Sequence, residues 1–465
     1  MSPNAPWVDD RNAAVLTDLY ELTMVQAYWR EGMHDDAVFS LYYRTLPPRR
    51  SYLVACGLDD ALRYLETLRF PEEGLDYLAG RDEFSQEFVD WLAEMRFEGD
   101  VWAMAEGTPV FPDEPLLEVR APIPVAQLAE SFVMNQVHFQ TVIASKAARL
   151  VQAARGRAVV DFGLRRMHGT DAAMKGARAY HVAGLAATSN VLAGQVYGVP
   201  ITGTMAHSYV QAHDDELDAF RAFAELYPET VLLVDTYDTL EGVRRVVELA
   251  RELGEDFRVQ AVRLDSGDLA ELAFRSREIL DEAGLEDVQI LASGGLDEDA
   301  IAGLVERDAP IAGFGVGTKM GVSEDAPALD MAYKLTAYAG KGRLKLAPGK
   351  KILPGRKQVF RQEEDGRAVR DVIARHDEDL PGRPLLEQVL ARGERLPAGR
   401  VSLEEARARA ADELGRLPER LLGMDPADPP YPVAVSPGLE ERQERVVERL
   451  EEEGPGARGT RGPRW

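Results

Sequence analysis

Apolar positions recur along this chain with two different periods, and the change of period divides it. Val15, Leu16, Leu19, Leu22, Val25 and Trp29 fall on one stripe, which predicts a helix over 14–29. Val38 to Tyr43 alternates in the manner of a half-buried strand. Helical patterns follow at about 57–69, 71–79 and 84–95. Short strands rich in Gly and Pro come next, at 99–104, 109–112 and 116–120. This mixture reads as a small α+β domain.

From about residue 123 the pattern changes. Val125 to Ala154 is helical and Ala158 to Asp161 is a strand. A regular beat then begins, with β-rich runs at 230–235, 258–264, 287–292 and 311–315. Helical patterns at 239–253, 268–283 and 297–307 separate them. Strands alternating with helices at roughly 25 to 30 residues indicate βα units and a parallel sheet. Polar clusters sit just after these strands, where parallel βα folds carry their chemistry. Beyond about 335 the reading turns to strand again, with a basic hairpin in which 343–346 and 357–361 flank Pro348-Gly-Lys-Lys351 and Pro354-Gly355. Residues 403–416 and 439–453 read as helices, and the Gly-, Pro- and Arg-rich stretch from Gly454 as disordered.

Charge narrows the partners. Against 54 Lys and Arg stand 79 Asp and Glu, a formal net charge of -25 over 465 residues. Such a surface repels nucleic acid and anionic membranes, so an anionic substrate needs a local basic pocket. Cys56, the single cysteine, excludes an intramolecular disulfide and a cysteine-based metal site, and its apolar setting reads as a buried small side chain. The N-terminus carries no basic and apolar leader pattern, and no run approaches the ~18 apolar residues of a membrane span, so a cytoplasmic protein is expected.

The clusters after the strands carry the candidate chemistry. His207 follows the run Ile201-Thr-Gly203-Thr204-Met-Ala and is flanked by Thr204 and Ser208. It is either a core histidine at a strand end or a nucleophile able to hold a phosphoryl group. Arg165 and Arg166 follow Asp161-Phe-Gly163, and read as a solvated pair or as a bidentate grip on phosphate. Arg263 and Asp265 face the same way on an alternating strand; they form a structural ion pair, or bind an anion and a ribose hydroxyl or hydrated Mg²⁺. Asp268 is equally an N-cap. Ser293-Gly294-Gly295 and Gly315-Val-Gly317-Thr318 end consecutive strands, as phosphate-binding turns of barrel enzymes do. No P-loop or HExxH pattern is present.

Five of these segments, in this order, resemble the nicotinate phosphoribosyltransferase family: Leu16-Thr-Asp-Leu-Tyr20-Glu-Leu-Thr-Met24, Phe162-Gly-Leu-Arg165-Arg166, Gly203-Thr204-Met-Ala-His207-Ser208, Val262-Arg263-Leu-Asp265-Ser-Gly-Asp268 and Gly315-Val-Gly317-Thr318. The resemblance runs from about residue 14 to about 425. It implies an α/β fold in which an irregular barrel of the type II phosphoribosyltransferase kind is joined to an α+β domain made from both chain ends. The expected division is 1–122 completed by 335–425, a catalytic barrel at 123–334, and a charged, helical, partly disordered tail at 426–465.

It further implies a reaction. Nicotinate and phosphoribosyl pyrophosphate (PRPP) give nicotinate mononucleotide and pyrophosphate in NAD biosynthesis, with Mg²⁺ as cofactor and ATP as co-substrate hydrolysed through a phosphohistidine. By resemblance His207 carries the phosphoryl group. Tyr20 stacks on the pyridine ring from the partner subunit of a homodimer whose active site lies at the interface. Arg263, Thr204 and Ser208 hold the nicotinate, and Arg165 contacts PRPP. Gly294, Gly295, Gly317 and Thr318 cradle the 5′-phosphate, and Asp235 and Asp265 face the ribose or Mg²⁺.

Four rivals stay open. The nicotinamide-using sister family places an acidic residue where this chain has Ser208, and the quinolinate-using one has no ATP–histidine step. A barrel isomerase or lyase would use His207 as a general acid and base and would turn over no ATP. A sugar-phosphate-binding regulator would leave His207 and Tyr20 without a task.

Overall fold

The computed structural model describes residues 8–346 and 352–452. The Pro348–Lys351 turn and the stretch from Gly454 lie outside them. Two compact units share the chain: Met1–Thr141 with Ala328–Trp465, and Val142–Pro327. Residues 331–334 join the first unit because the strand Met331–Tyr338 pairs antiparallel with Asp36–Tyr43. The 122/123 boundary read from the sequence falls inside a continuous stretch of the first unit, and the division comes instead within the helix Glu130–Ala153.

The first unit holds a seven-stranded antiparallel sheet with Asp36–Tyr43 in its interior, between Met331–Tyr338 and Leu117–Pro122. That strand does not alternate as expected, because every residue after Asp36 is buried. Its polar position is satisfied internally: Ser40 donates to Glu118 Oε1 at 2.7 Å and receives Lys357 Nζ at 2.9 Å. The expected 14–29 helix is broken into a 3-10 turn at Ala13–Val15 and a helix at Leu19–Arg30. Leu22 and Val25 are buried as the stripe predicts, whereas Leu16 and Leu19 are exposed.

Two further expectations for this unit are corrected. The basic hairpin does not form between 343–346 and 357–361; Lys357–Glu364 pairs with Arg367–Arg375, and 343–346 is not a strand. The stretch from 426 is also no separate tail as far as residue 452. Val433–Val435 adds to Arg367–Arg375, and Leu439 and Val446 of the helix Pro437–Glu452 are buried. Apolar burial of this kind stabilises by roughly 25 cal/mol per Å².

The second unit is the βα series. Its six strands form a parallel sheet in the order Ala187–Thr188, Ala158–Asp161, Gly313–Val316, Gln289–Ala292, Ala261–Leu264, Val231–Leu233. Val231–Leu233, Ala261–Leu264 and Gly313–Val316 are largely buried on both faces, as parallel strands under helices are. Three helices that follow are started by aspartates accepting from their first backbone N–H groups: Asp238 before Thr239–Leu253, Asp268 before Leu269–Glu282 and Asp297 before Glu298–Glu306. Asp268 is therefore a cap.

Candidate active site

Every strand of the parallel sheet ends on the same face, and five of the six hand their next residues to one cavity of about 400 Å³. Phe162, Arg165 and Arg166 come after the 158–161 strand, and Ser189 after 187–188. Asp265 follows 261–264, Ser293 to Leu296 follow 289–292, and Gly317 to Lys319 follow 313–316. The segment Gly203–His207 closes one side.

Arg263 is fixed in the wall by four hydrogen bonds. Its Nε donates to Thr204 Oγ1 at 3.0 Å, and one terminal nitrogen donates to Asp265 Oδ1 and Ser293 Oγ, each at 3.0 Å. The other donates to the Met205 carbonyl at 2.8 Å. The guanidinium carbon lies 5.9 Å from the centre of the Phe162 ring. Burial pushes this guanidinium below its ordinary range, Asp265 and Asp235 push it back, and Arg165 adds repulsion. Four of its five N–H donors are thereby taken, which leaves a cation held in one orientation with one donor remaining.

His207 opens the short helix His207–Gln211. It does not follow a strand as expected, since Ile201 makes only an isolated bridge to Thr188. Its Nδ1 is 3.1 Å from Thr236 Oγ1, and its Nε2 is 3.9 Å from Asp265 Oδ2. The ring is thus tied on the side away from the cavity wall and faces Asp265 on the other. Asp265 is held in turn: its Oδ1 accepts from Ser293 as well as Arg263, and its backbone N–H donates to Asp235 Oδ2 at 3.1 Å. Ser266 Oγ donates to the same Asp235 oxygen at 2.6 Å.

The glycine turns differ in purpose. Gly294 has φ +88°, and a Cβ there would stand 1.8 Å from the Asp265 carbonyl oxygen, so only glycine permits this approach. Gly295, at φ +65°, faces open space. Gly315 leaves room for Phe162, whose ring would meet a Cβ at 2.4 Å. Asp161, buried and therefore pushed above the usual carboxylate range, accepts from the Gly163 N–H at 2.7 Å and Thr188 Oγ1 at 2.6 Å. It shapes the turn that presents Arg165 and Arg166, both exposed and both lining the cavity.

The structure therefore brings Arg165, Thr204, His207, Arg263, Asp265, Gly294, Gly295, Gly317 and Thr318 to one cavity. Asp235 stands behind it, supporting the 265–266 turn. Ser208 does not line it. Tyr20 belongs to the first unit, where it is half exposed and lines a separate hollow with Asp18, Glu130, Ser131 and His138. The sequence reading gave no role to Thr236 or Lys319 and took Ser293 only as part of the Ser293-Gly294-Gly295 turn. Thr236 directly follows Asp235 and Lys319 directly follows Thr318, which was the available signal.

For Mg²⁺ the described residues offer no cluster of three or more His, Cys, Asp or Glu. They do offer hard oxygens: Asp265 Oδ2, and Asp235 Oδ1, which is buried without a hydrogen-bond partner. Such a set suits an ion that keeps most of its waters and substrate oxygens.

Comparison with known proteins places the chain in a family. Residues 15–138 match the nicotinate phosphoribosyltransferase (NAPRTase) N-terminal domain, and residues 157–373 match the nicotinate phosphoribosyltransferase (NAPRTase) family. The chain is 57% identical over 423 residues to a nicotinate phosphoribosyltransferase of Mycobacterium tuberculosis, covering 91% of each chain. It is 42% identical over 381 residues to that of Bacillus subtilis, covering 80% of this chain and 78% of that one. The crystal structure of human nicotinic acid phosphoribosyltransferase superposes with a TM-score of 0.82 at 29% identity, over 93% of this chain and 100% of that one. No helix among the described residues is long and apolar enough to cross a membrane. On matches that span most of its length, the chain belongs to the nicotinate phosphoribosyltransferase family.

Proposed function

We propose that this chain joins nicotinate to PRPP, giving nicotinate mononucleotide and pyrophosphate in NAD biosynthesis, and that it couples this to ATP hydrolysis through a phosphohistidine at His207. The observation that carries the reading is Arg263, a fixed cation in the cavity wall between the Thr204 hydroxyl and the Ser293-Gly294 turn. Nicotinate carries a carboxylate where nicotinamide carries a neutral amide, and a fixed guanidinium favours the former. Quinolinate, with two carboxylates, asks for a second such cation and gives His207 no task.

In this reading the γ-phosphoryl of ATP passes to a ring nitrogen of His207 and ADP leaves. Thr236 holds the ring while Asp265 balances the charge that develops on it. PRPP lies with its 5′-phosphate against Gly294, Gly295, Gly317 and Thr318, and with its pyrophosphate toward Arg165. The bond from C1 of the ribose to pyrophosphate breaks and the pyridine nitrogen forms a bond to C1, through a transition state of oxocarbenium character. Water then cleaves the phosphohistidine to free phosphate. Asp265, with Asp235 behind it, would hold Mg²⁺, which would supply charge neutralisation for the leaving pyrophosphate.

Beyond the parallel sheet itself, we read the second unit as an irregular α/β barrel, and the enzyme as a cytoplasmic homodimer with its active sites at the interface. Exposed apolar residues support the dimer: Val191, Leu192 and Val196 of the helix Val191–Tyr197, and Ile201 after it. Tyr20 is half exposed, which leaves its ring open to stack on the pyridine of a partner's site. Purified protein supplied with PRPP, Mg²⁺ and nicotinate, nicotinamide or quinolinate tests the substrate. Mononucleotide from nicotinate alone is expected, and product from nicotinamide at a comparable rate would overturn the assignment.

A further inference from the structure

Lys319 lines the cavity but has no part in the reading above. It stands one residue beyond Gly317-Thr318, on the short helix Thr318–Gly321. Its side chain reaches across to the end of the other glycine turn, where Nζ lies 2.6 Å from Asp297 Oδ2. Asp297 does not line the cavity, and its other oxygen accepts from the Ala300 N–H at 2.8 Å, capping the helix Glu298–Glu306.

That helix is anchored from behind. Glu298, its first residue, is buried and bonded to Lys146 Nζ and, at 3.0 Å, to Arg149 Nε. Asp297 is thus a fixed post. It takes one of the three ammonium hydrogens of Lys319, and Nζ makes no other hydrogen bond among the described residues. The side chain is about one-third exposed, at 34%, and two ammonium donors remain beyond the one that Asp297 takes.

We infer that Lys319 is a ligand of the 5′-phosphate of the phosphoribosyl group, set in place by Asp297, and that it separates recognition of this phosphate from recognition of the pyrophosphate. The inference rests on the phosphoribosyl reading of the cavity. Backbone N–H groups of the two glycine turns supply neutral donors to a phosphate. Lys319 adds a cation that those turns lack, and its side chain runs from the Gly317-Thr318 turn to Asp297, two residues beyond Gly295. Arg165 and Arg166, on the separate 164–166 turn, are left for the pyrophosphate.

Two ligands that each carry half of the substrate's charge test this. Calorimetric titration of the whole protein with ribose 5-phosphate and, separately, with pyrophosphate and Mg²⁺ reads the two subsites. Lys319→Met should weaken ribose 5-phosphate by about tenfold or more, the size of one charge-assisted hydrogen bond, and pyrophosphate by less than about twofold. Lys319→Gln, which keeps a donor for Asp297, should show the same split, and Lys319→Arg should recover most of the loss. Unchanged ribose 5-phosphate affinity in the Met and Gln variants overturns the inference, and so does an equal loss for both ligands, which marks a role in the fold. If the unaltered protein binds neither ligand, the phosphoribosyl reading itself fails.

Discussion

The ring of His207 is tied to Thr236: Nδ1 and Oγ1 are 3.1 Å apart, and Nε2 is left 3.9 Å from a carboxylate oxygen of Asp265. A histidine held by one nitrogen presents the other in a fixed direction, which a phosphoryl acceptor requires. His207→Ala should therefore keep PRPP-dependent synthesis of mononucleotide but lose ATP hydrolysis and its stimulation. Normal ADP release by this variant would remove the phosphohistidine. Thr236→Val keeps the shape of the side chain and loses the hydroxyl. A net hydrogen bond of about 1 kcal/mol predicts an ATP-dependent rate about fivefold lower, with the ATP-independent rate unchanged.

Arg263 is expected to separate the two substrates. Arg263→Ala removes the fixed cation and leaves Asp265 Oδ1 with Ser293 alone. Loss of a charged hydrogen-bond donor costs about 1.5–3 kcal/mol, so KM for nicotinate should rise by roughly 10- to 100-fold and KM for PRPP by much less. An equal rise in both would mean that Arg263 only holds the wall together.

The two adjacent glycines should respond unequally to the same change. Gly294→Ala places a Cβ 1.8 Å from the Asp265 carbonyl oxygen, so the turn must move. Gly295→Ala meets nothing within 4 Å and bears only the left-handed backbone, a cost of about 1–2 kcal/mol. Denaturant unfolding should find Gly294→Ala the less stable of the two by at least about 1 kcal/mol. Equal stabilities would mean that the turn relaxes at no cost.

Stability should also fall as pH rises, through the buried carboxyl next to Tyr20. Burial raises Glu21 from the ordinary 4.5 to about 7, against hydrogen bonds from Thr17 and Ser131. Between those values the folded chain keeps a proton that the unfolded chain has released. Raising pH through that window therefore costs stability, and above about 7 the loss is complete. Glu21→Gln carries no such proton. The melting temperature of the unaltered protein relative to Glu21→Gln should drop from about pH 4.5 to 7, and a constant difference would contradict the assignment.

The catalytic half was legible because its signals are local. Each strand of the parallel sheet is short and apolar, the caps Asp238, Asp268 and Asp297 mark the helices that follow, and the polar residues of the site sit in the few positions between. What the sequence hid depends on distant partners. Ser40 looks like a solvent-facing strand position until Lys357, 317 residues away, is placed beside it. The strand partner of Lys357–Glu364 is decided by the turn at 365–366 and not by the basic run before it. Leu16 and Leu19 fit a helical stripe by spacing alone, yet the chain breaks at Thr17-Asp18 and leaves both exposed. Thr236 was missed because a hydroxyl after an acidic strand end has no distinctive spacing, and only the fold shows that it meets His207.

The central claim is ATP-coupled transfer of a phosphoribosyl group to nicotinate. The measurement that tests it most directly follows nicotinate mononucleotide and ADP together, with purified protein, PRPP, Mg²⁺ and nicotinate, in the presence and absence of ATP. Mononucleotide that rises with ATP, accompanied by ADP, is the predicted result. Mononucleotide formed at the same rate without ATP, and no ADP with it, would contradict the coupling and leave His207 without its role.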